Sequence, residues 1–225
     1  KEGKMTGQLA DFTDFSFHAV KNFTTAEGGA ATWRDIEGID NEELYHQIGE
    51  QGLLVSEYPM GTIAQSGSLA FKKENEAKGD MTDIMAAIGL KQLERYPGLL
   101  KRRKAIIEKY DAMCDEMKVK HLAHYTDRYT SSGHLYLTRI PGVTDEQRRE
   151  IITKLAERGV NTNVHYKPLP MMTAYKKLGW DIKDFPNAYD YYHNLITLPL
   201  HTKLTDEDVE YVIENFKEVV KEYLV

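Results

Sequence analysis

A lysine at position 21 stands just after a short predicted strand, among aromatic residues. A lysine amine forms a Schiff base with an aldehyde when a half-buried site or a nearby cation lowers its pKa. Ser16, five residues earlier, carries a hydroxyl that can hold an anion. In pyridoxal phosphate the aldehyde and the phosphate arm are on adjacent ring carbons, so one short turn can present Lys21 to the first and Ser16 to the second. The alternative is an ordinary strand-to-loop turn with a solvated lysine, and spacing alone favours that alternative.

The residues around Lys21 also have structural interpretations. His18 is more simply a packed or hydrogen-bonded histidine than a group that does chemistry. Glu27, Gly28 and Gly29 are best explained as a tight turn, because glycine reaches backbone conformations that are closed to other residues.

Two short strands must position this segment, and the residue pattern predicts them at residues 12–17 and 30–33. Residues 41–49 have a helical pattern. Residues 56–80 are rich in Gly, Ser and Lys and predict a long loop, of a length that is usually functional or mobile.

Two helices are predicted next. Thr82 is a candidate N-cap, and Ile84, Ile88 and Leu93 indicate an apolar face. Pro97 is expected to end that helix or to begin the next one. An apolar stripe along the second, longer helix predicts core packing at Leu99, Ile106, Tyr110, Met113 and Met117.

After residue 120 strands and helices alternate, which favours a small α/β domain. Thr144 and Gln147 form a capping box that opens one helix, and Gly159 stops it. Strands are predicted at residues 133–140, 160–166 and 195–198. Thr205 caps a last helix, whose apolar face consists of Val209, Val212, Ile213, Phe216, Val219 and Val220.

The composition of the 225 residues excludes several classes of protein. A hydrophobic fraction of 41% suits a globular domain rather than a disordered chain. A net charge of −6 argues against nucleic acid as the main partner, because phosphate binding needs a basic face. No apolar run approaches the roughly 20 residues that span a bilayer, which excludes a transmembrane protein. The single cysteine, Cys114, excludes an intrachain disulfide framework and a Cys-based zinc site, and it suits a reducing, cytoplasmic setting.

Four motifs follow one another along the chain: SFHxxKxxTxxEGG from Ser16, MTDIMAAIGL from Met81, VHYKPL from Val164 and LPLH from Leu198. In this order they resemble the DegT/DnrJ/StrS family of pyridoxal-phosphate-dependent enzymes, most of which are nucleotide-sugar aminotransferases. The resemblance covers nearly the whole chain.

The resemblance implies roles for individual residues. Lys21 matches the lysine that binds the cofactor aldehyde and later moves the proton, and Ser16 matches the serine that binds the cofactor phosphate. The related sugar dehydratases have histidine in place of this lysine, so Lys21 implies the aminotransferase branch. His165 and Tyr166 could line the sugar side of the cleft, with simple packing as an equal alternative, and His201 is a weaker candidate.

The chain departs from the family pattern just before its second motif. The family often has an asparagine there that reaches the phosphate of the neighbouring subunit, whereas this chain has Lys78-Gly79-Asp80. Lys78 could bind a phosphate as a point charge, and Asp80 would repel it.

The acidic residue that such enzymes hold against the pyridine nitrogen is expected upstream of Ser16. Asp11 and Asp14 lie too close to the lysine turn to replace it. We therefore expect the N-terminal half of the family's chain to be absent from this sequence.

The sequence thus predicts the C-terminal part of a fold-type I PLP-dependent transferase, of the α/β class. Residues 1–97 are expected to end the large mixed-sheet domain, and residues 98–225 to form the connecting helix and the small C-terminal α/β domain. The resemblance implies a homodimeric aminotransferase that moves an amino group from an amino acid, such as glutamate, to a keto-sugar nucleotide in cell-surface polysaccharide or amino-sugar biosynthesis. The alternative is a non-catalytic relative or fragment that serves as a dimerisation or binding module.

Overall fold

The computed structural model describes residues 1–35, 37, 38, 40, 42 and 81–224. The loop predicted at residues 56–80, with Lys78, lies outside the described residues, as does the helix predicted at 41–49 apart from position 42. The chain divides into two compact units, Lys1–Gly98 and Leu99–Val225. The assignment of these units to a cofactor domain and a small domain stays a prediction.

The first unit contains a β-hairpin at the two predicted strand positions. Strand β1, Phe12–Ser16, pairs antiparallel with β2, Gly29–Trp33. Ser16 stands opposite Gly29 at the end of the hairpin where the chain leaves β1. The segment that carries Lys21 is therefore the connection between two paired strands.

Helix α1, Asp83–Met117, begins directly after the predicted N-cap. The hydroxyl of Thr82 accepts a hydrogen bond from the N–H of Met85 at 3.4 Å, as an N-cap does. The prediction that Pro97 ends this helix or begins a second one is wrong, because the single helix α1 runs through it. Proline lacks an N–H and leaves the carbonyl four residues earlier unpaired. That carbonyl belongs to Leu93, which is exposed, so water can satisfy it.

The residues predicted to form an apolar face at the start of α1 are exposed: Ile84, Ile88 and Leu93. A different face of the helix meets the connection of the hairpin. Gly89 lies against Thr25, and the ring of Tyr96 lies 6.0 Å from the ring of Phe23. Positions 89 and 96 are two helical turns apart and share a face, and glycine allows a closer approach there than the neighbouring isoleucine.

The second unit contains an antiparallel sheet with the strand order β3-β4-β5. These strands are β3, Lys120–His121, β4, Tyr136–Arg139, and β5, Leu195–Leu198. The strands predicted at residues 133–140 and 195–198 are therefore confirmed, the first with shorter bounds.

The strand predicted at residues 160–166 is wrong. This segment, which the structure describes in full, pairs its backbone with β5 only at an isolated bridge between Asn163 and Thr197. The two residues exchange N–H···O bonds of 2.7 and 3.1 Å. The side-chain oxygen of Asn163 then accepts the N–H of Val164 at 2.7 Å. Such a local bond competes with a sheet ladder, which explains why pairing stops after one bridge.

Helix α2, Asp145–Glu157, begins at the predicted capping box. The Thr144 hydroxyl accepts the N–H of Gln147 at 3.2 Å, and the Gln147 side chain accepts the N–H of Thr144 at 3.0 Å. Gly159 follows the helix with a φ of 76°, a left-handed conformation that glycine adopts without steric cost.

A capping box also opens the last helix, for which Thr205 and Asp208 supply the two side chains. The remaining helices of the second unit are α3, Thr173–Lys177, α4, Pro186–Tyr192, and α5, Asp206–Val220, with single 3₁₀ turns at Leu169–Met171 and Ile182–Asp184.

No helix among residues 81–224 or in the described N-terminal part is long and apolar enough to cross a membrane.

The core of the second unit forms where the part of α1 beyond Gly98 packs with the sheet, α2 and α5. The predicted stripe of α1 is buried at Ile106, Tyr110 and Met113, and the whole predicted apolar face of α5 is buried. Each such side chain contributes about 1.5–3 kcal/mol to stability. Cys114 lies in this core, and burial raises the pKa of its thiol to about 12.

Candidate active site

The connection between β1 and β2 is a loop that closes on the backbone of Phe17. The Phe17 N–H donates to the carbonyl of Gly28 at 2.8 Å, and the Phe17 carbonyl accepts the N–H of Thr25 at 3.0 Å. Inside the loop the N–H of Lys21 donates to the carbonyl of His18 at 2.9 Å. Lys21 therefore stands on a tight turn within a closed loop.

Two threonines fasten the second half of this loop. The Thr24 hydroxyl donates to the Phe17 carbonyl and accepts the N–H of Ala26, both at 3.0 Å. The Thr25 hydroxyl donates to the carbonyl of Glu27 at 2.5 Å, and Thr25 is only 1% exposed. These bonds hold the chain beyond Lys21 to the end of β1.

At the tight turn predicted for residues 27–29, the chain bends at Glu27 and enters β2 at Gly29. Gly28 has a φ of 140°, and a β-carbon there would lie 2.7 Å from the hydroxyl oxygen of Thr25. A β-carbon at Gly29 would lie 2.7 Å from the backbone oxygen of Phe15. Because real β-carbons do not approach other atoms so closely, both positions require glycine.

Gly29 also leaves the space beside Ser16 open. Residues directly opposite each other in an antiparallel pair place their side chains on the same face, about 5 Å apart. Ser16 is paired with Gly29, which has no side chain to cover the serine hydroxyl, and Ser16 is exposed. An anion can therefore reach this hydroxyl at the end of β1.

The side chains of Lys21 and Ser16 are both available to a ligand. Neither the amine nor the hydroxyl forms a hydrogen bond or ion pair with another residue that the structure describes. An amine for an aldehyde and a hydroxyl for a phosphate form the donor set that pyridoxal phosphate requires. The loop therefore fits this cofactor chemically.

His18 and Glu27 approach each other from the two ends of the loop. His18 Nε2 lies 3.7 Å from Glu27 Oε1, and the two side chains are 50% and 30% exposed. A partly exposed pair at this distance contributes at most about 1 kcal/mol. The contact links the two ends of the loop and leaves the histidine ring accessible to solvent.

In the second unit, His165 and Tyr166 follow the bridge to β5. His165 Nδ1 lies 3.0 Å from the hydroxyl oxygen of Thr197, and burial lowers the pKa of the His165 ring from its ordinary 6.5. The two rings meet edge to face with their centroids 4.7 Å apart. Tyr166 is 70% exposed, so packing against the described residues does not account for this tyrosine.

His201 lines a cavity of about 450 Å³ in the second unit, beside Asp208 and Tyr211 of α5. The Tyr211 hydroxyl donates to the carbonyl of Arg158 at 2.9 Å, and Asp208 belongs to the capping box. These polar groups already serve the helix ends, which leaves little for a ligand and keeps His201 a weak candidate.

The structure thus places Ser16 and Lys21 at one end of β1 in the first unit, and His165 with Tyr166 in the second unit. Sequence reasoning did not single out three residues that hold these groups: Thr25, Gly89 and Thr197. The available signals were a glycine inside a helical pattern and a threonine inside an apolar strand.

A sequence model of the DegT/DnrJ/EryC1/StrS aminotransferase family matches residues 1–217 of this chain. The spore coat polysaccharide biosynthesis protein SpsC of Bacillus subtilis is 34% identical over 226 residues, which cover 97% of this chain and 56% of SpsC. A UDP-4-amino-4,6-dideoxy-N-acetyl-beta-L-altrosamine transaminase of Helicobacter pylori is 30% identical over 209 residues, covering 93% of this chain and 52% of the transaminase. The chain therefore spans about half the length of the curated relatives it matches.

Solved structures of aminotransferases are also similar to this chain, which again covers about half of each. The PLP form of Spr1654 from Streptococcus pneumoniae is 48% identical, with a TM-score of 0.83 over 100% of this chain and 55% of Spr1654. PseC of Helicobacter pylori, an aminotransferase involved in the biosynthesis of pseudoaminic acid, is 26% identical, with a TM-score of 0.71 over 99% of this chain and 56% of PseC.

We expect the His165 ring to titrate below 6.5 in the folded protein, because burial disfavours the charged ring. Nuclear magnetic resonance of the ring protons measures the midpoint, and the same ring in the denatured protein is the control. With a folded pKa below the unfolded one, stability is retained above the unfolded pKa and falls as the pH drops through the folded value. A folded midpoint equal to or above the denatured one would contradict this expectation.

Proposed function

Because the chain belongs to the DegT/DnrJ/EryC1/StrS aminotransferase family, we propose that the full-length protein transfers an amino group from an amino acid to a keto-sugar nucleotide. The family resemblance and the fold-type I PLP-dependent transferase fold predicted from the sequence are confirmed. Membership of a family of PLP-dependent sugar aminotransferases also makes pyridoxal phosphate the cofactor. The roles of individual residues, the amino donor and the sugar belong to the proposal.

The observation that supports the proposal is the closed loop after β1, which begins at the exposed Ser16 and carries Lys21 on a tight turn. Pyridoxal phosphate supplies, when bound, a conjugated ring that withdraws electrons from the carbon next to the substrate amine. We assign the Lys21 amine to hold the cofactor aldehyde before the amino acid arrives. Once displaced by the substrate amine, Lys21 takes the proton from the substrate α-carbon as a general base and returns it as a general acid.

We assign the Ser16 hydroxyl to the cofactor phosphate. A hydroxyl that donates to a charged oxygen forms a stronger hydrogen bond than one between neutral groups. The exposed position of Ser16 opposite Gly29 supports this role. Lys78, which lies outside the described residues, stays a proposed contact to a phosphate as a point charge.

We assign His165 and Tyr166 to the sugar side of the cleft. The Thr197 hydroxyl fixes the orientation of the His165 ring, and burial favours its neutral form, which has one donor and one acceptor nitrogen. The exposed Tyr166 ring offers an apolar face and a hydroxyl, a combination that suits a sugar. The Helicobacter pylori relative is named as a transaminase of a UDP-sugar, which supports a nucleotide-sugar substrate.

The proposal extends to the setting of the enzyme. The relative SpsC is named for spore coat polysaccharide biosynthesis, which supports a place in cell-surface polysaccharide or amino-sugar synthesis. We propose glutamate as the amino donor by family resemblance. We also propose a cytoplasmic location, because a chain with a single buried thiol suits a reducing compartment.

Lys21→Ala in the full-length protein is expected to abolish amino transfer, because no amine remains to bind the cofactor aldehyde or to move the proton. Borohydride reduction followed by peptide mapping should find the pyridoxyl group on Lys21 in the wild type and nowhere in the variant. Lys91 is an exposed lysine of the same unit, so Lys91→Ala is the matched control and should keep the label. A label on another lysine, or no bound cofactor, would favour a non-catalytic binding module instead.

Ser16→Ala should weaken cofactor affinity roughly tenfold to a hundredfold, because it removes a hydrogen bond to a charged group. Titration of the apoprotein with pyridoxal phosphate measures this change, and turnover at saturating cofactor should fall much less. Thr13→Val removes a hydroxyl from the same strand away from the loop and should leave the affinity unchanged. An unaltered affinity in Ser16→Ala would refute the phosphate role.

The full-length protein is expected to sediment as a homodimer, as the family resemblance implies. Exposed apolar residues on α1, such as Ile84 and Leu93, provide surface that further protein can cover. Analytical ultracentrifugation at micromolar concentration distinguishes the monomer from the homodimer. A monomer under these conditions would contradict the dimer.

A further inference from the structure

We propose that Gly89 and Thr25 are positioning residues for Lys21. Gly89 has no side chain, so Thr25 can pack against α1, and Thr25 in turn fixes the loop that presents the lysine. This inference rests on the proposed role of Lys21. It adds a determinant of lysine geometry that lies on a different element from the lysine itself.

Thr25 is the most deeply anchored residue of the loop. Its N–H donates to the Phe17 carbonyl at 3.0 Å, and its hydroxyl donates to the Glu27 carbonyl at 2.5 Å. It is 1% exposed, whereas the residues on either side of it are half-buried or exposed. A displacement of Thr25 therefore moves the backbone on both sides of it.

The contact with α1 makes a larger residue at position 89 a tight fit against Thr25. A β-carbon on Gly89 would lie 3.0 Å from Thr25 Cγ2 and 3.8 Å from Phe23 Cζ. Carbon atoms prefer a separation of about 3.5–4.0 Å, so an added methyl would push Thr25 away from the helix. Alanine is the better helix former, and Ala86 and Ala87 precede this position, so glycine is explained by the contact rather than by helix propensity.

Displacing Thr25 should change the position of Lys21 relative to Ser16. Ser16 is held in the ladder with β2, and no atom of β2 lies within 4 Å of a β-carbon placed on Gly89. Lys21 lies on the loop segment that ends at Thr25, and Phe23 between them packs on Phe17 with ring centroids 4.9 Å apart. An added methyl at position 89 should therefore displace the Lys21 amine more than the Ser16 hydroxyl.

The test compares Gly89→Ala, Thr25→Ser and the double variant in the full-length protein. Thr25→Ser keeps the hydroxyl that bonds to Glu27 and removes the methyl group that the new β-carbon would meet. With a limiting amount of pyridoxal phosphate, Gly89→Ala should lower the borohydride-trapped label on Lys21 by roughly tenfold, the scale of a mild overpacking strain. It should also shift the absorption spectrum of the bound cofactor.

The double variant should recover most of the label and the wild-type spectrum, because the smaller side chain at position 25 relieves the contact. Gly98→Ala is the matched control. Gly98 lies in the same helix and a β-carbon there meets nothing within 4 Å, so this change has a similar effect on helix propensity and should leave the label unchanged.

An unchanged label in Gly89→Ala, or no recovery in the double variant, would overturn the inference. If Gly89→Ala does not fold, Thr25→Val tests the role of Thr25 instead. Valine keeps the packing against Gly89 and removes the hydrogen bond to the Glu27 carbonyl, so this variant should also lower the label on Lys21. Absence of the label on wild-type Lys21 would instead mean that the proposed function fails, which separates the two outcomes.

Discussion

The peptide groups of Phe17 hold the candidate site together. They bond to Gly28, Thr25 and Thr24, so the loop that carries Lys21 begins and ends at one residue. Ordering a loop residue costs about 1–2 kcal/mol in backbone entropy. A hydrogen bond returns only about 1 kcal/mol net. The bonds at Phe17 therefore specify the loop's shape, while burial of Thr25 and the aromatic packing of Phe23 must supply much of its stability.

Elements whose signals are local could be predicted from the sequence. The capping box at Thr144 and the N-cap at Thr205 depend on neighbouring residues, and the apolar stripes of α1 and α5 depend on helical spacing alone. The sequence-based predictions failed where solvent exposure or a hydrogen bond outside the local pattern determined the structure. Pro97 is tolerated because the carbonyl it frees belongs to an exposed residue. The segment beyond Val160 pairs with β5 at one bridge only, because the Asn163 side chain accepts the N–H of Val164.

The candidate site divides in the same way. Ser16 and Lys21 belong to one local motif, so the family resemblance could assign them together, whereas their spacing alone favoured an ordinary turn. The contact of Thr25 with Gly89 joins residues far apart in the chain, and the Thr197 hydroxyl reaches His165 from another strand. No local pattern encodes such contacts. Only two signals indicated that something packs there: the glycine inside a helix, which is locally unfavourable, and the polar threonine inside an otherwise apolar strand.

The buried thiol of Cys114 can report whether the core of the second unit is intact. The thiolate is the reactive form of cysteine. Because burial raises the pKa of the Cys114 thiol far above neutral pH, little thiolate forms in the folded protein. The sulfur is also fully buried, and it is the only thiol in the 225 residues. The rate at which an alkylating reagent modifies Cys114 therefore measures how often the core opens. A variant that loosens the second unit should raise this rate, whereas a variant that alters only the loop with Lys21 should not.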